Sequence, residues 1–246
     1  MDSTRLALAA LAVPLALAAA APPGHAEQAR VFQADLGPLS GSGARGSATM
    51  ALDGDLLTVE ITTGGMTADQ PHLQHLRFGG RDTCPPPQAA GDGALSTAEL
   101  VPYTGDIQVS LTTEGDTGPQ SALAVTRMPA ADAGGTLSYR RAFRVPDRVA
   151  AALEAGRVTI VQYGVDVNGN GRYDSDAGLS DLDPSLYAEA TFPATCGQVR
   201  PVPQGGTSAG EGGAAGADPR LLGLGALLIA AAGGALAWGR RLRRGR

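Results

Sequence analysis

Apolar and polar residues alternate along much of this chain, the pattern of strands that bury one face and wet the other. Residues 30–36 (RVFQADL) alternate in this way and end at Gly37-Pro38. Residues 46–52 and 56–62 repeat the pattern on either side of Asp53-Gly54-Asp55, the composition of a tight hairpin turn. Further strands are predicted at 72–78, 107–112, 123–128, 136–145, 158–163 and, last, 187–192. From 79 to 93 a run of Gly, Pro and Asp, with Pro85-Pro86-Pro87, excludes a regular strand and predicts a long surface loop. One helix interrupts the pattern, at 147–155 (DRVAAALEA), where strong helix formers lie between Pro146 and Gly156. It is short and reads as a crossover between strands. The sum is an all-β fold, an antiparallel Greek-key β-sandwich or barrel with one short crossover helix.

The two ends break the alternation. Residues 1–26 carry Arg5, an apolar run and small residues around Gly24 and Ala26, the composition of a secretory signal peptide. Residues 221–239 form an unbroken apolar and glycine run, followed at 240–246 by five arginines. At about 1.5 Å per residue that run approaches the ~30 Å hydrocarbon core of a bilayer. It predicts a separate C-terminal transmembrane helix with a basic cytoplasmic tail, a buried core helix being the alternative. Residues 198–220, rich in Gly, Ala and Pro, read as a flexible tether. The expected molecule is a single-pass protein of the cell membrane whose domain, residues 27–197, lies outside the cell.

Charge narrows the partners. Between residues 27 and 219 there are 12 arginines against 23 acidic residues, a net charge of −11, and no lysine occurs anywhere. So acidic a domain argues against nucleic acid and anionic lipid, and fits cation binding or simple solubility. The partner expected is an extracellular protein or envelope component that the sequence does not name. The only two cysteines, Cys84 and Cys196, form an isolated pair in an exported domain, which predicts one disulfide. Shared metal ligation is the alternative, although no CxxC spacing accompanies them.

Two stretches carry candidate chemistry. In Pro71-His72-Leu73-Gln74-His75-Leu76-Arg77, His72 and His75 are candidate ligands for copper or zinc. On a regular strand the two point to opposite faces, so they share one ion only if a bulge or a strand end re-aims one of them. In the stretch from Asp166 to Asp176, a D-x-N-x-N-G core matches the start of an EF-hand calcium loop. Asp166, Asn168, Asn170, Asp174 and Asp176 are its candidate calcium ligands. Position twelve is Ala177 where an EF-hand has glutamate, so Asp176, Asp181 or Asp183 has to supply the last oxygens. The alternative is a turn-rich acidic loop built on Asx-turns. No nucleophile elbow, H-E-x-x-H pair or phosphate loop occurs in the sequence.

Several pieces in order resemble the chordin-type (CHRD) domain of exported bacterial proteins. They are His72-Leu73-Gln74-His75, Cys84-Pro85, Val109 to Thr113 with Gly115-Asp116-Thr117, Tyr139 to Phe143, Gly164 to Gly171, Glu189-Ala190-Thr191, and Cys196-Gly197. The resemblance spans nearly all of residues 31–197. It implies an all-β domain related to the copper–zinc superoxide dismutase sandwich, without an established catalytic activity. It further implies that the cysteine after the histidine-bearing strand is linked to the C-terminal strand. Family members have additional histidines where this chain has Arg77 and Tyr163, which removes two candidate ligands. A binding or structural role in the cell envelope is the function expected, with metal binding as the alternative and a dismutase-type enzyme the remotest reading.

Overall fold

The computed structural model describes residues 29–86, 89 and 93–203. The expected leader at 1–26 and membrane segment at 221–239 lie outside the described residues. Among those described, no helix is long and apolar enough to cross a membrane.

Among the described residues nine strands make one curled, half-barrel sheet with only antiparallel pairing. They are β1 (Arg30–Pro38), β2 (Arg45–Asp53), β3 (Leu56–Gly64), β4 (Gln74–Phe78), β5 (Asp106–Ser110), β6 (Leu137–Arg144), β7 (Thr159–Tyr163), β8 (Pro193–Gln198) and β9 (Arg200–Pro201). Across the sheet their order is β5-β4-β7-β8-β1-β2-β3-β6, with β9 beside β1. β1 holds the curl together, pairing with β2 from Arg30 to Leu36 while its end, Gly37 and Pro38, pairs with β8.

The two-residue period places the core. Phe32, Ala34 and Leu36 on β1, Ala48, Met50 and Leu52 on β2, and Leu57, Val59 and Ile61 on β3 all point inward and are buried. Each large apolar side chain removed from water in this way contributes about 1.5–3 kcal/mol. The β2–β3 turn sits at Asp53-Gly54-Asp55 as predicted, with Gly54 at φ +58. The predicted helix is α2 (Asp147–Glu154), whose Val149, Ala152 and Leu153 pack into the same core, and Gly156 at φ +64 follows its end.

β8 is buried on both of its faces, and so, along nearly their whole length, are β4 and β7. The inner face of β4 and β7 carries Gln74, Leu76, Ile160 and Gln162. The Gln162 amide donates to Gln74 at 3.1 Å, and its oxygen accepts from the hydroxyls of Thr63 and Thr195 at 2.8 and 2.9 Å. Their outer face meets a second apolar cluster of Leu73, Leu95, Leu100, Met128, Val161, Tyr163 and Cys196. Part of that cover comes from α1 (Thr97–Thr104), a helix the sequence reading did not include. It begins with a capping box, in which the Ser96 hydroxyl accepts from the Glu99 N–H while the Glu99 carboxylate accepts from the Ser96 N–H.

Three expectations are corrected. The strand predicted at 123–128 is instead a 3₁₀ turn, Val125–Arg127, which follows another at Pro119–Ser121. The Arg127 guanidinium draws the chain back there by donating to the carbonyls of Glu114 and Asp116 and to the Ser121 hydroxyl. The strand predicted at 187–192 is a short helix, α3 (Ala188–Thr191), and the last long strand is β8. Residues 198–201, expected in the tether, belong to the folded sheet: Gln198 ends β8, Arg200–Pro201 form β9, and the Val199 N–H donates to the Val158 carbonyl at 2.9 Å, while residues 204–220 lie outside the described residues.

Candidate functional site

The predicted disulfide is formed. Cys84, in the loop after β4, is bonded to Cys196 on β8 across 112 positions of sequence, with a Cα–Cα distance of 5.8 Å. It fastens the loop to the outer face of the β4–β7 layer, and both cysteines are part of or packed against the second cluster.

The two histidines have different surroundings. His72 precedes β4, is completely buried, and is ringed by carbonyls: Nδ1 lies 2.7 Å from the Tyr163 oxygen and Nε2 3.0 Å from that of Thr67. The Tyr173 hydroxyl stands 3.0 Å from Nδ1. A neutral ring has one N–H and one lone pair, so only one of the two nitrogens donates to its carbonyl. Burial lowers the pKa of His72 below its ordinary value, against the two carbonyls, which favour the charged ring. Tyr173 is pushed up, first by burial and further by the charges of Asp166 and Glu189.

His75 points to the outer face with Leu73 and Arg77, as the strand period dictates. Its Nε2 donates to the Ala122 carbonyl at 3.0 Å and its ring meets that of Tyr163 edge-on at 5.2 Å. Its Nδ1 is buried without a partner. Burial, with the Arg77 charge adding to it, brings the pKa of His75 down to about 3. Arg77 is itself buried, donating from Nε and Nη2 to the Gly105 carbonyl at 2.9 and 2.7 Å and from Nη1 to the Tyr163 hydroxyl at 2.8 Å. The two residues that stand where the resembled family has histidines thus bond to each other inside the second cluster.

His72 and His75 have no hydrogen-bond partner atom in common, and among the described residues no group of three or more His, Cys, Asp or Glu side chains is placed to hold a metal ion. A copper or zinc ion takes imidazole nitrogen through its lone pair. At His72 both nitrogens face carbonyl oxygen, and at His75 the one unpartnered nitrogen is shut inside the fold.

The Asp166 loop is the second candidate. The Asp166 carboxylate accepts three backbone N–H bonds, from Gly169 at 2.7 Å, Asn170 at 3.2 Å and Gly171 at 2.6 Å. Asn168 donates from Nδ2 to Asp176 at 2.8 Å and to Asp174 at 3.3 Å, and Asn170 donates to Asp174. Four of the five predicted side chains, Asn168, Asn170, Asp174 and Asp176, therefore belong to one hydrogen-bonded ring, and Asp166 is tied to the same loop through backbone N–H groups alone, with Gly169 and Gly171 at φ +76 and +85 permitting the tight winding. The Asp176 N–H and the Asn170 amide hold the Asp174 carboxyl below its ordinary pKa. These are hard oxygen donors, the class calcium takes. Of the three residues expected to supply the last oxygens, only Asp176 joins the ring. Asp181 caps α1 by accepting from the Ala98 N–H at 3.1 Å, and Asp183 accepts from Ser185 at 2.8 Å.

The residue that fixes this loop was not among the predicted ones. Glu189, on α3, is completely buried and accepts the Val167 N–H on one carboxylate oxygen and the Asp174 N–H on the other, both at 2.8 Å. It lies thirteen positions past Asp176, inside a segment whose alternation reads as strand. Its charge in an otherwise apolar stretch was the available signal. A groove of about 310 Å³ opens between this loop and the segment after β3, lined by Met66, Thr67, Gly164, Asp166 and Gly171 among others.

No family model matches the chain, and no curated protein matches it.

Proposed function

We propose that this chain is an exported, membrane-tethered β domain with a binding or structural role in the cell envelope, of the chordin-type class that its sequence resembles and with the Greek-key arrangement of that class. The observation that carries the reading is the Cys84–Cys196 disulfide, which persists only in an oxidising compartment. The apolar run at 221–239 and the arginines after it supply the anchor, and the excess of acidic residues steers partners toward neutral or basic surfaces of the envelope. Protease added to intact cells is expected to release the disulfide-linked domain while the arginine-rich tail stays with the membrane. A domain that remains protected, or a chain recovered with the soluble cytoplasmic fraction, overturns the reading.

A second reading gives the Asp166 loop a calcium ion. It is supported by the nearness of Asp166, Asn168, Asn170, Asp174 and Asp176 in one loop wound on two positive-φ glycines, although their three carboxylates are not grouped as they would be around an ion. A ligand bound only by the folded state raises its melting temperature. Millimolar calcium is expected to raise the melting temperature of the protein and to leave that of Asp166→Ala unchanged. An unchanged wild-type midpoint rejects the site. Copper or zinc at His72 or His75, and the dismutase-type activity that needs them, find no supporting geometry among the described residues.

A further inference from the structure

The Asp166 loop contains two Asn-Gly steps, Asn168-Gly169 and Asn170-Gly171, with all four residues exposed to water. An asparagine side chain can close on the backbone nitrogen of the residue that follows it, and glycine there leaves the approach unhindered because it has no Cβ. At both steps of this loop the three atoms that change in that closure already face a group suited to the change.

The nucleophiles come first. The Gly169 N–H donates to Oδ1 of Asp166 at 2.7 Å and the Gly171 N–H to Oδ2 of the same carboxylate at 2.6 Å. In the planar imide Cγ takes the place of that proton, so the carboxylate that removes it moves aside as the new bond forms. The electrophiles are held as well. Asn168 Oδ1 accepts the Asn170 N–H and Asn170 Oδ1 accepts the Arg172 N–H, both at 3.0 Å. These donors stabilise the oxygen that becomes negative in the tetrahedral intermediate. The leaving amides, finally, already donate to the Asp174 and Asp176 carboxylates.

We propose that this loop is a self-modification site, where Asn168 and Asn170 close onto the nitrogens of Gly169 and Gly171 to form succinimides that water opens to aspartate and isoaspartate. The glycine nitrogen forms a bond to Cγ, the Cγ–Nδ2 bond breaks, and the proton first taken by Asp166 leaves with the amide as ammonia. One water then adds across an imide bond, at either carbonyl, and nothing is oxidised or reduced. Asp166 serves both steps as general base, one carboxylate oxygen for each. Each conversion replaces an amide that donates to Asp174 or Asp176 with a carboxylate, so an attractive contact becomes a like-charge one. The proposal rests on the hydrogen bonds of the loop and not on cation binding.

The test incubates the full chain in detergent at neutral pH with a chelator. Ammonia release and peptide mapping by mass spectrometry are followed beside a synthetic peptide of residues 164–178. The folded chain is expected to convert on the order of tenfold faster than the unstructured peptide, at Asn168 and Asn170, and Asp166→Ala to fall to the peptide rate or below. The double substitution Asn168→Gln with Asn170→Gln is expected to abolish the mass change. Conversion in the folded chain at or below the peptide rate overturns the proposal, as does an Asp166→Ala variant that converts as fast as the wild type or faster.

Discussion

His75 lies wholly out of water on β4, while Asn168 and Asn170 stand in it in the loop after β7. Both stretches are rich in metal-ligating residue types. Around the histidines, however, the polar atoms face backbone carbonyls, Arg77 and Tyr163, and the apolar cluster sealed by the disulfide closes over them. Around Asp166 the polar atoms face one another across a loop open to solvent. Residue type supplies a donor atom in each case. What differs is whether a lone pair remains reachable, and that depends on which groups the fold has already placed against it.

The comparison is tested most strongly at the seal. Cys196→Ser opens a loop of 112 residues, and in the chain-entropy model it costs about 4–5 kcal/mol. The loss is expected as a lowered urea midpoint under non-reducing conditions, with the histidine side of the fold becoming accessible first. A midpoint that stays in place shows that packing alone seals the cluster.

Acid distinguishes the two regions next. The pKa of His75 is about 3 in the fold against 6.5 ordinarily, so between those values the unfolded chain binds the extra proton. Stability is therefore complete above pH 6.5 and falls as the pH drops toward 3, by a total of about 5 kcal/mol. Asp174 is lowered from a carboxylate value of 3.8, so its contribution is present above that pH and is lost only below it. Melting temperatures recorded across this range are expected to decline first in the histidine window, and His75→Phe to flatten that first decline. An unaltered decline in the variant assigns it to other groups.

The smallest effects lie within the loop. Glu189→Ala leaves the part-buried Val167 and Asp174 N–H groups without their acceptor and is expected to cost about 2–3 kcal/mol. Asp166→Ala removes an exposed cap from three N–H groups that water can replace, at about 1 kcal/mol in the absence of calcium. Equal losses in denaturant melts would show that the loop is held from its tip as much as from its base.

The strands 30–36, 46–52, 56–62 and 158–163, the hairpin at Gly54 and the helix at 147–154 were legible because period, turn chemistry and capping act over a few neighbouring residues. Alternation misled at 187–192, where Glu189 sits in register for a strand but turns inward to bond a loop that only the tertiary fold brings to it. It misled at 123–128 for the same reason, since Arg127 reaches back thirteen residues to Glu114. The capping box at Ser96 and Glu99 was readable in the sequence, but Pro102 inside α1 masked the helix.

By itself the sequence determined the β class, the pairing of its only two cysteines, and the grouping of five oxygen-bearing residues in one loop. These follow from local periodicity, from the count of thiols and from residues close enough in the chain to meet without help. Only the tertiary structure decided that His72 and His75 face separate surroundings, that Arg77 and Tyr163 bond to each other, and that Glu189 anchors the Asp166 loop. Each of these depends on which distant backbone groups arrive beside a side chain, a matter of sheet order and burial that no local pattern of residues records.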